Sequence, residues 1–149
     1  FLREAVAEYE FMNPPGIILG DCCEEHASIM ELLYQSFRVS IHHTTPEVSE
    51  LTKLAVNAYL AGQISFWNQI KLLADKLGIN AQEVGMLASF GDDRVSKYGA
   101  RMLGKPYGGN CLPKDLEQLL NLCTELSAKA SLLNAVKEVN ELFREGEGK

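Results

Sequence analysis

Between Pro46 and Gly78 the chain carries no helix breaker stronger than Gly62, and that uninterrupted run limits the fold more than any other feature. Thr44 and Glu47 have capping-box spacing and Pro46 suits a first helical turn, so a helix is expected from about Pro46 to Gly78. At 1.5 Å per residue it would extend about 50 Å, more than a domain of this size needs for its own core. Val48, Leu51, Ala55, Tyr59, Gly62, Phe66, Ile70, Leu73 and Leu77 form an apolar stripe, and Leu54, Ile64 and Trp67 widen it beyond one face. A helix apolar on several sides is expected to pack within its own chain and against a second copy.

Shorter elements surround this one. Before it, a helical "REAVAEYEF" and the turn "NPPG" lead into "IILGD", read as a lone short strand. From about Glu24 to Phe37, Ala27, Met30, Leu33, Tyr34 and Phe37 have the spacing of an amphipathic helix, and "RVSIHH" reads as a connector. After Gly78, Asn80 and Glu83 cap a short helix that "GDD" ends. Arg94, Lys97, Arg101 and Lys105 then recur at helical intervals as a basic stripe, and two further helices follow with Leu and Val at core spacing. The fold class is mainly α: a helical bundle around one long central helix, with one short strand near the N-terminus.

Composition removes several classes of function. At 149 residues, 46% hydrophobic and 23% charged, the chain has material for a real core, and its net charge of −6 argues against a nucleic-acid surface. No stretch approaches the roughly 18 consecutive apolar residues of a membrane span. Cys22, Cys23, Cys111 and Cys123 have neither zinc-ligand spacing nor the density of a disulfide framework, so reduced thiols and a cytoplasmic setting are expected. His42-His43 has no third ligand at metal spacing, and no metal site is expected. Cys22 and Cys23 read as partly buried structural thiols.

The concentrated chemistry lies in "KPYGGNCLPKD". Tyr107, Gly108 and Gly109 form a loop in which backbone can approach a ligand closely, and Cys111 falls at a helix start with Asn110 as a plausible N-cap. Lys114 and Asp115 follow three and four residues later and project from the side of the sulfur. A lone cysteine is most often a small buried hydrophobe, but here each neighbour has its own reason to be present. Lys114 would lower the thiol pKa and Asp115 raise it, and Asp115 is placed to activate a water. Lys53, Asn57 and Asn68 draw a polar line along the long helix, either a solvated edge or a set of buried groups with partners.

"GGNCLPKD", "ELTKLAVNAYLAGQISFWN", "DDRV" and the opening "FLRE" together resemble the nucleotide-sugar dehydrogenase family that includes UDP-glucose and GDP-mannose dehydrogenases. The resemblance implies NAD-dependent oxidation of a sugar C6 alcohol to a carboxylate through a cysteine thiohemiacetal and thioester. It implies Cys111 as nucleophile, with Lys53, Asn57, Asp115 and Glu4 as further catalytic residues. Arg94, reaching in from a neighbouring subunit, would bind substrate with Tyr107, Gly108 and Gly109, and Lys114 would serve the cofactor. Residues 1–44 would be the tail of an NAD-binding Rossmann-type domain, and residues 45–149 a central dimerisation and catalytic-cysteine domain. No Gly-x-Gly-x-x-Gly follows a strand, so the NAD site would lie mainly outside this chain, which alone is expected to be inactive. The implied partners are a nucleotide sugar and a second copy of the chain, with neither nucleic acid nor membrane. The competing reading is a non-catalytic helical dimerisation module that retains the cysteine motif.

Overall fold

A computed structural model describes residue 3 and residues 6–146. These fall into two compact units, residues 1–53 and 54–149. The fold is mainly helical, as the sequence indicates.

In the first unit, α1 (Ala7–Met12) precedes β1 (Ile17–Gly20), α2 (Glu24–Tyr34) and β2 (Ile41–Thr44). The two strands pair in parallel, Ile17 opposite Ile41 and Gly20 opposite Thr44. The expected lone strand and the "RVSIHH" connector are thus corrected: α2 is the crossover a parallel pair requires, and His42-His43 lies within β2. Both histidines are exposed, so β2 shows no alternating apolar pattern by which sequence could reveal it. After α2 a single 3-10 turn, Gln35–Phe37, carries Phe37 edge-on against Phe11 with ring centres 5.7 Å apart. Leu33, expected to face inward, is exposed.

The long helix is α3 (Pro46–Leu77). Its cap is Thr45, whose Oγ1 accepts from the Val48 N–H at 3.4 Å. Thr44 does not cap, because its carbonyl is committed to the sheet end, accepting from the Asp21 N–H at 2.8 Å. Gly78, at φ +65°, closes α3 while the Ile79 N–H reaches back to the Ala74 carbonyl at 3.0 Å.

The second unit packs the later turns of α3 with α4 (Ala81–Gly91), a single turn α5 (Lys97–Ala100), α6 (Cys111–Glu125) and α7 (Ser131–Glu145). Asn80 caps α4 as expected, its side chain accepting from the Gln82 and Glu83 N–H groups. The basic stripe does not form: only Lys97 of its four residues is in helix, since the chain turns at 92–96 and again at Gly104. Ala58, Ala61, Ile64, Leu116, Leu119, Leu120 and Val136 make the core.

The face of α3 that enters this core is not the large apolar stripe. Asn57, Ala58, Ala61, Ile64, Ser65, Trp67, Asn68 and Ala74 are buried, whereas Tyr59, Phe66, Leu73 and Leu77 are 54–72% exposed. Small and hydrogen-bonded residues let neighbouring elements approach α3 closely; a Cβ on Gly99 would lie 2.4 Å from the Gln63 carbonyl oxygen. Trp67 therefore belongs to the chain's own interior, and Phe66 does not.

Candidate active site

Two buried asparagines fix the loop that leads to Cys111. Asn68 on α3 accepts the Gly104 N–H at 2.9 Å and donates to the Lys105 carbonyl at 2.8 Å. Asn140 on α7 accepts the Tyr107 N–H at 2.6 Å and donates to the Tyr107 carbonyl at 3.1 Å. Backbone groups that a loop would otherwise turn to water are thereby satisfied inside the protein. Asn68 belongs to the polar line read from the sequence and is a buried residue with partners. Asn140 was not singled out. Its signal is a single polar residue among the buried positions of α7, between Val136 and Phe143.

Tyr107 is buried, and burial, aided by the charge of Glu141, pushes its phenol up to about 12. Gly108 and Gly109 are exposed, with open space where a Cβ would stand, and Gly109 turns the chain at φ +72°. Cys111 is the first residue of α6 and an exposed free thiol. Asn110 precedes it, but its side chain makes no capping bond and its backbone is already helical, which corrects its expected role. The helix start leaves backbone N–H groups without intrahelical partners near the sulfur.

One turn on, Asp115 is buried with both oxygens engaged. Oδ2 accepts from Asn57 Nδ2 at 2.5 Å and Oδ1 meets Lys114 Nζ at 2.9 Å. Lys114 is mostly exposed, and its pKa is raised by the hydrogen bond to Asp115, then by the Asp115 charge, with the Cys111 sulfur adding in the same direction. The second unit therefore gathers Cys111, Lys114, Asp115 and Asn57 around the start of α6. Lys53 lies on α3 within the first unit and is half-buried. Glu4 lies outside the described residues. Arg94 is exposed and held by Asp92, whose Oδ1 accepts from Arg94 Nε at 2.9 Å and from its backbone N–H at 3.0 Å. It lines a groove of about 600 Å³ with Tyr59, Phe66, Leu132 and Val136, and Cys111 is not part of that lining.

The described residues do not make a dinucleotide site. The one glycine near the end of β1 is its last residue, Gly20, whose missing side chain is explained by packing, since a Cβ there would lie 2.8 Å from the Pro46 Cα. Asp21, Glu24 and Glu25 surround the start of α2 and would repel a diphosphate. Lys114 is a single cation already shared with Asp115. No helix among the described residues is long and apolar enough to cross a membrane.

The sequence and fold of the chain have counterparts among known proteins. Residues 47–142 match the central domain of the UDP-glucose/GDP-mannose dehydrogenase family, and the chain belongs to that family. The UDP-glucose 6-dehydrogenase YwqF of Bacillus subtilis is 33% identical over 142 residues, covering 94% of this chain and 31% of that protein. The GDP-mannose 6-dehydrogenase of Pseudomonas putida is 31% identical over 144 residues, covering 95% and 32%. A solved UDP-glucose dehydrogenase from Pyrobaculum islandicum superposes with a TM-score of 0.85 at 32% identity, over 95% of this chain and 32% of that one. The chain thus spans about a third of the length of the curated relatives it matches.

Proposed function

We propose that this chain supplies the catalytic cysteine and the subunit contact of an NAD-dependent nucleotide-sugar 6-dehydrogenase. The observation that carries the reading is Cys111: an exposed thiol on the first residue of α6, behind a loop fixed by Asn68 and Asn140, one turn from the Asn57–Asp115–Lys114 cluster. Residues 1–44 are then the tail of an NAD-binding Rossmann-type domain, a reading supported by the parallel β1–α2–β2 unit. Residues 45–149 are the central domain.

In this mechanism the Cys111 sulfur adds to the carbonyl carbon of the sugar C6 aldehyde, and the adduct's oxygen takes a proton to give a thiohemiacetal. Loss of hydride from that carbon leaves a thioester, and water cleaves it to carboxylate and free thiol. NAD would supply the hydride acceptor for both oxidations, C6 alcohol to aldehyde before the sulfur adds and thiohemiacetal to thioester after it, two equivalents per carboxylate. Lys53 and Asn57 contact the oxygen on which charge develops. Asp115 orients Asn57 and Lys114 and assists the attacking water, Lys114 lies toward the cofactor, and Glu4 completes the catalytic set. Gly108 and Gly109 present backbone to the substrate, with Tyr107 as the buried anchor of their loop.

The exposed stripe of Tyr59, Phe66, Leu73 and Leu77 is the homodimer contact, and Arg94 beside it serves the substrate bound at its partner's Cys111. Four free thiols accord with a reducing, cytoplasmic setting. The reading is tested in the full-length protein given UDP-glucose or GDP-mannose with NAD. Cys111→Ser should abolish carboxylate formation, and mass spectrometry of the unaltered enzyme should find the sugar on the Cys111 peptide. Unchanged carboxylate formation in Cys111→Ser would favour the non-catalytic module.

A further inference from the structure

A second concentration of reactive side chains lies in the first unit, where β1 gives way to α2. Cys22 and Cys23 stand between Asp21 and Glu24, the first residue of α2, and His26 is in that helix's first turn. Cys22 Sγ lies 2.8 Å from His26 Nδ1 and 4.0 Å from Cys23 Sγ, and the three ligand atoms all fall within 4.8 Å of one another. The backbone accounts for this. Cys23 is extended (φ −165°, ψ 163°) at the helix cap, and the first turn of α2 then carries the imidazole back over the thiol four residues earlier.

Packing does not explain the cluster, because all three residues are exposed, against the expectation of partly buried thiols. Its surroundings are acidic: Asp21, which pairs with His43, precedes it, and Glu24 and Glu25 open α2. Carboxylates on both sides favour a bound cation over an anion. The cluster also lies outside the residues that match the family's central domain.

We infer that Cys22, Cys23 and His26 form a binding site for a single thiophilic d10 cation such as zinc. This reading departs from the sequence-based expectation of no metal site, which found no zinc-ligand spacing among the cysteines and no third ligand for His42-His43. A tetrahedral zinc with Zn–S of about 2.3 Å and Zn–N of about 2.0 Å needs S···S near ~3.8 Å and S···N near ~3.5 Å. Cys22 and Cys23 must close by a few tenths of an ångström, Cys22 and His26 must open by less than one, and Cys23 and His26, which lie within 4.8 Å, must close by up to about 1.3 Å, roughly what side-chain rotation supplies. On binding, each thiol releases its proton to solvent, and His26 donates its Nδ1 lone pair with its own proton on Nε2. Water fills the fourth position. Two thiolates and an imidazole favour zinc, cadmium or copper(I) over magnesium or calcium.

The test uses the whole chain, kept reduced with a non-chelating phosphine. Cadmium, which takes the same donors, is followed by its thiolate-to-metal charge-transfer absorption, and zinc by calorimetry in two buffers of different ionisation heat. The expected result is one ion per chain with about two protons released. Cys22→Ser, Cys23→Ser and His26→Gln, each checked for unchanged circular dichroism, should weaken binding by about tenfold or more. Cys111→Ser and Cys123→Ser should retain it. Absence of the charge-transfer band at stoichiometric cadmium overturns the site, as does binding that survives Cys22→Ser or is lost in Cys111→Ser. None of these outcomes depends on dehydrogenase activity.

Discussion

Asn57 and Asp115, one on α3 and one on α6, meet inside the second unit with the Asn57 amide 2.5 Å from Asp115 Oδ2. The contact ties the helix that carries the exposed apolar stripe to the helix that begins with Cys111. Both residues are buried, Asn57 at 7% and Asp115 at 3% exposure, so neither can exchange its partner for bulk water. An isolated buried carboxylate is costly, and the amide is one of the groups that make the buried position tolerable.

Asn57→Ala should therefore lower the unfolding free energy by about 1–3 kcal/mol, because it leaves an acceptor buried without one of its donors. Urea unfolding of the natural chain and the variant measures this. Combined with Asp115→Ala, the loss should be smaller than the sum of the two single losses, since the second change removes the stranded group. An Asn57→Ala variant within about 0.5 kcal/mol of the natural chain would mean that the pair contributes little.

The anchoring of Tyr107 predicts alkaline sensitivity. Its phenol, ordinarily near 10, is pushed up to about 12 in the folded chain by burial, with Glu141 adding to the shift. The neutral phenol is thus the form favoured by folding. The contribution is fully present below pH 10 and is lost as pH rises from 10 through about 12. Thermal melts across that window should show falling stability, and Tyr107→Phe, which cannot ionise, should flatten the decline. Identical slopes in the two proteins would assign the loss to other groups.

Two glycines near α3 and α4 should respond to alanine with opposite signs. A Cβ on Gly99 would lie 2.4 Å from the Gln63 carbonyl oxygen and 2.7 Å from the Trp67 ring, so Gly99→Ala should destabilise by at least the ~1–3 kcal/mol of core overpacking. Gly91, the last residue of α4, has nothing within 4 Å of a Cβ, and Gly91→Ala should be neutral or stabilise by up to ~1 kcal/mol. Denaturant midpoints of the two variants decide it. A tolerated alanine at 99 would show that α5 does not rest on α3 as closely as described.

The long helix, the Asn80 cap and the position of Cys111 could be read from sequence because local rules determine them: periodicity, side-chain capping and the turn-to-helix junction. Strand β2 could not, because its pairing with β1 rests on backbone bonds reached across α2 and its side chains carry no alternation. The same limit applied to the inward face of α3. Periodicity identified apolar residues on several sides, but which side met the rest of the chain depended on close approach at Ala58, Ala61 and Gly99. At the candidate site, the helix-start placement of Cys111 was legible from its neighbours in sequence. Asn140 was not, because its relation to Tyr107 spans 33 residues.

The final prediction concerns the stripe that the chain leaves uncovered. Tyr59, Phe66 and Leu73 recur every seven residues on α3, each more than half exposed, beside a groove of about 600 Å³ lined also by Leu132, Leu133 and Val136. Large apolar side chains on one line of a helix favour association, and fully burying each contributes roughly 1.5–3 kcal/mol. The chain should therefore form a homodimer with a concentration-dependent melting temperature. Phe66→Glu should shift it to monomer in sedimentation equilibrium while leaving its circular dichroism unchanged, since Phe66 is not part of the monomer core. Trp67→Ala, at the adjacent but buried position, should instead lower stability at every concentration by about 3–5 kcal/mol. A natural chain that stays monomeric at high micromolar concentration would remove the dimer, and with it the proposed reach of Arg94 toward its partner's Cys111.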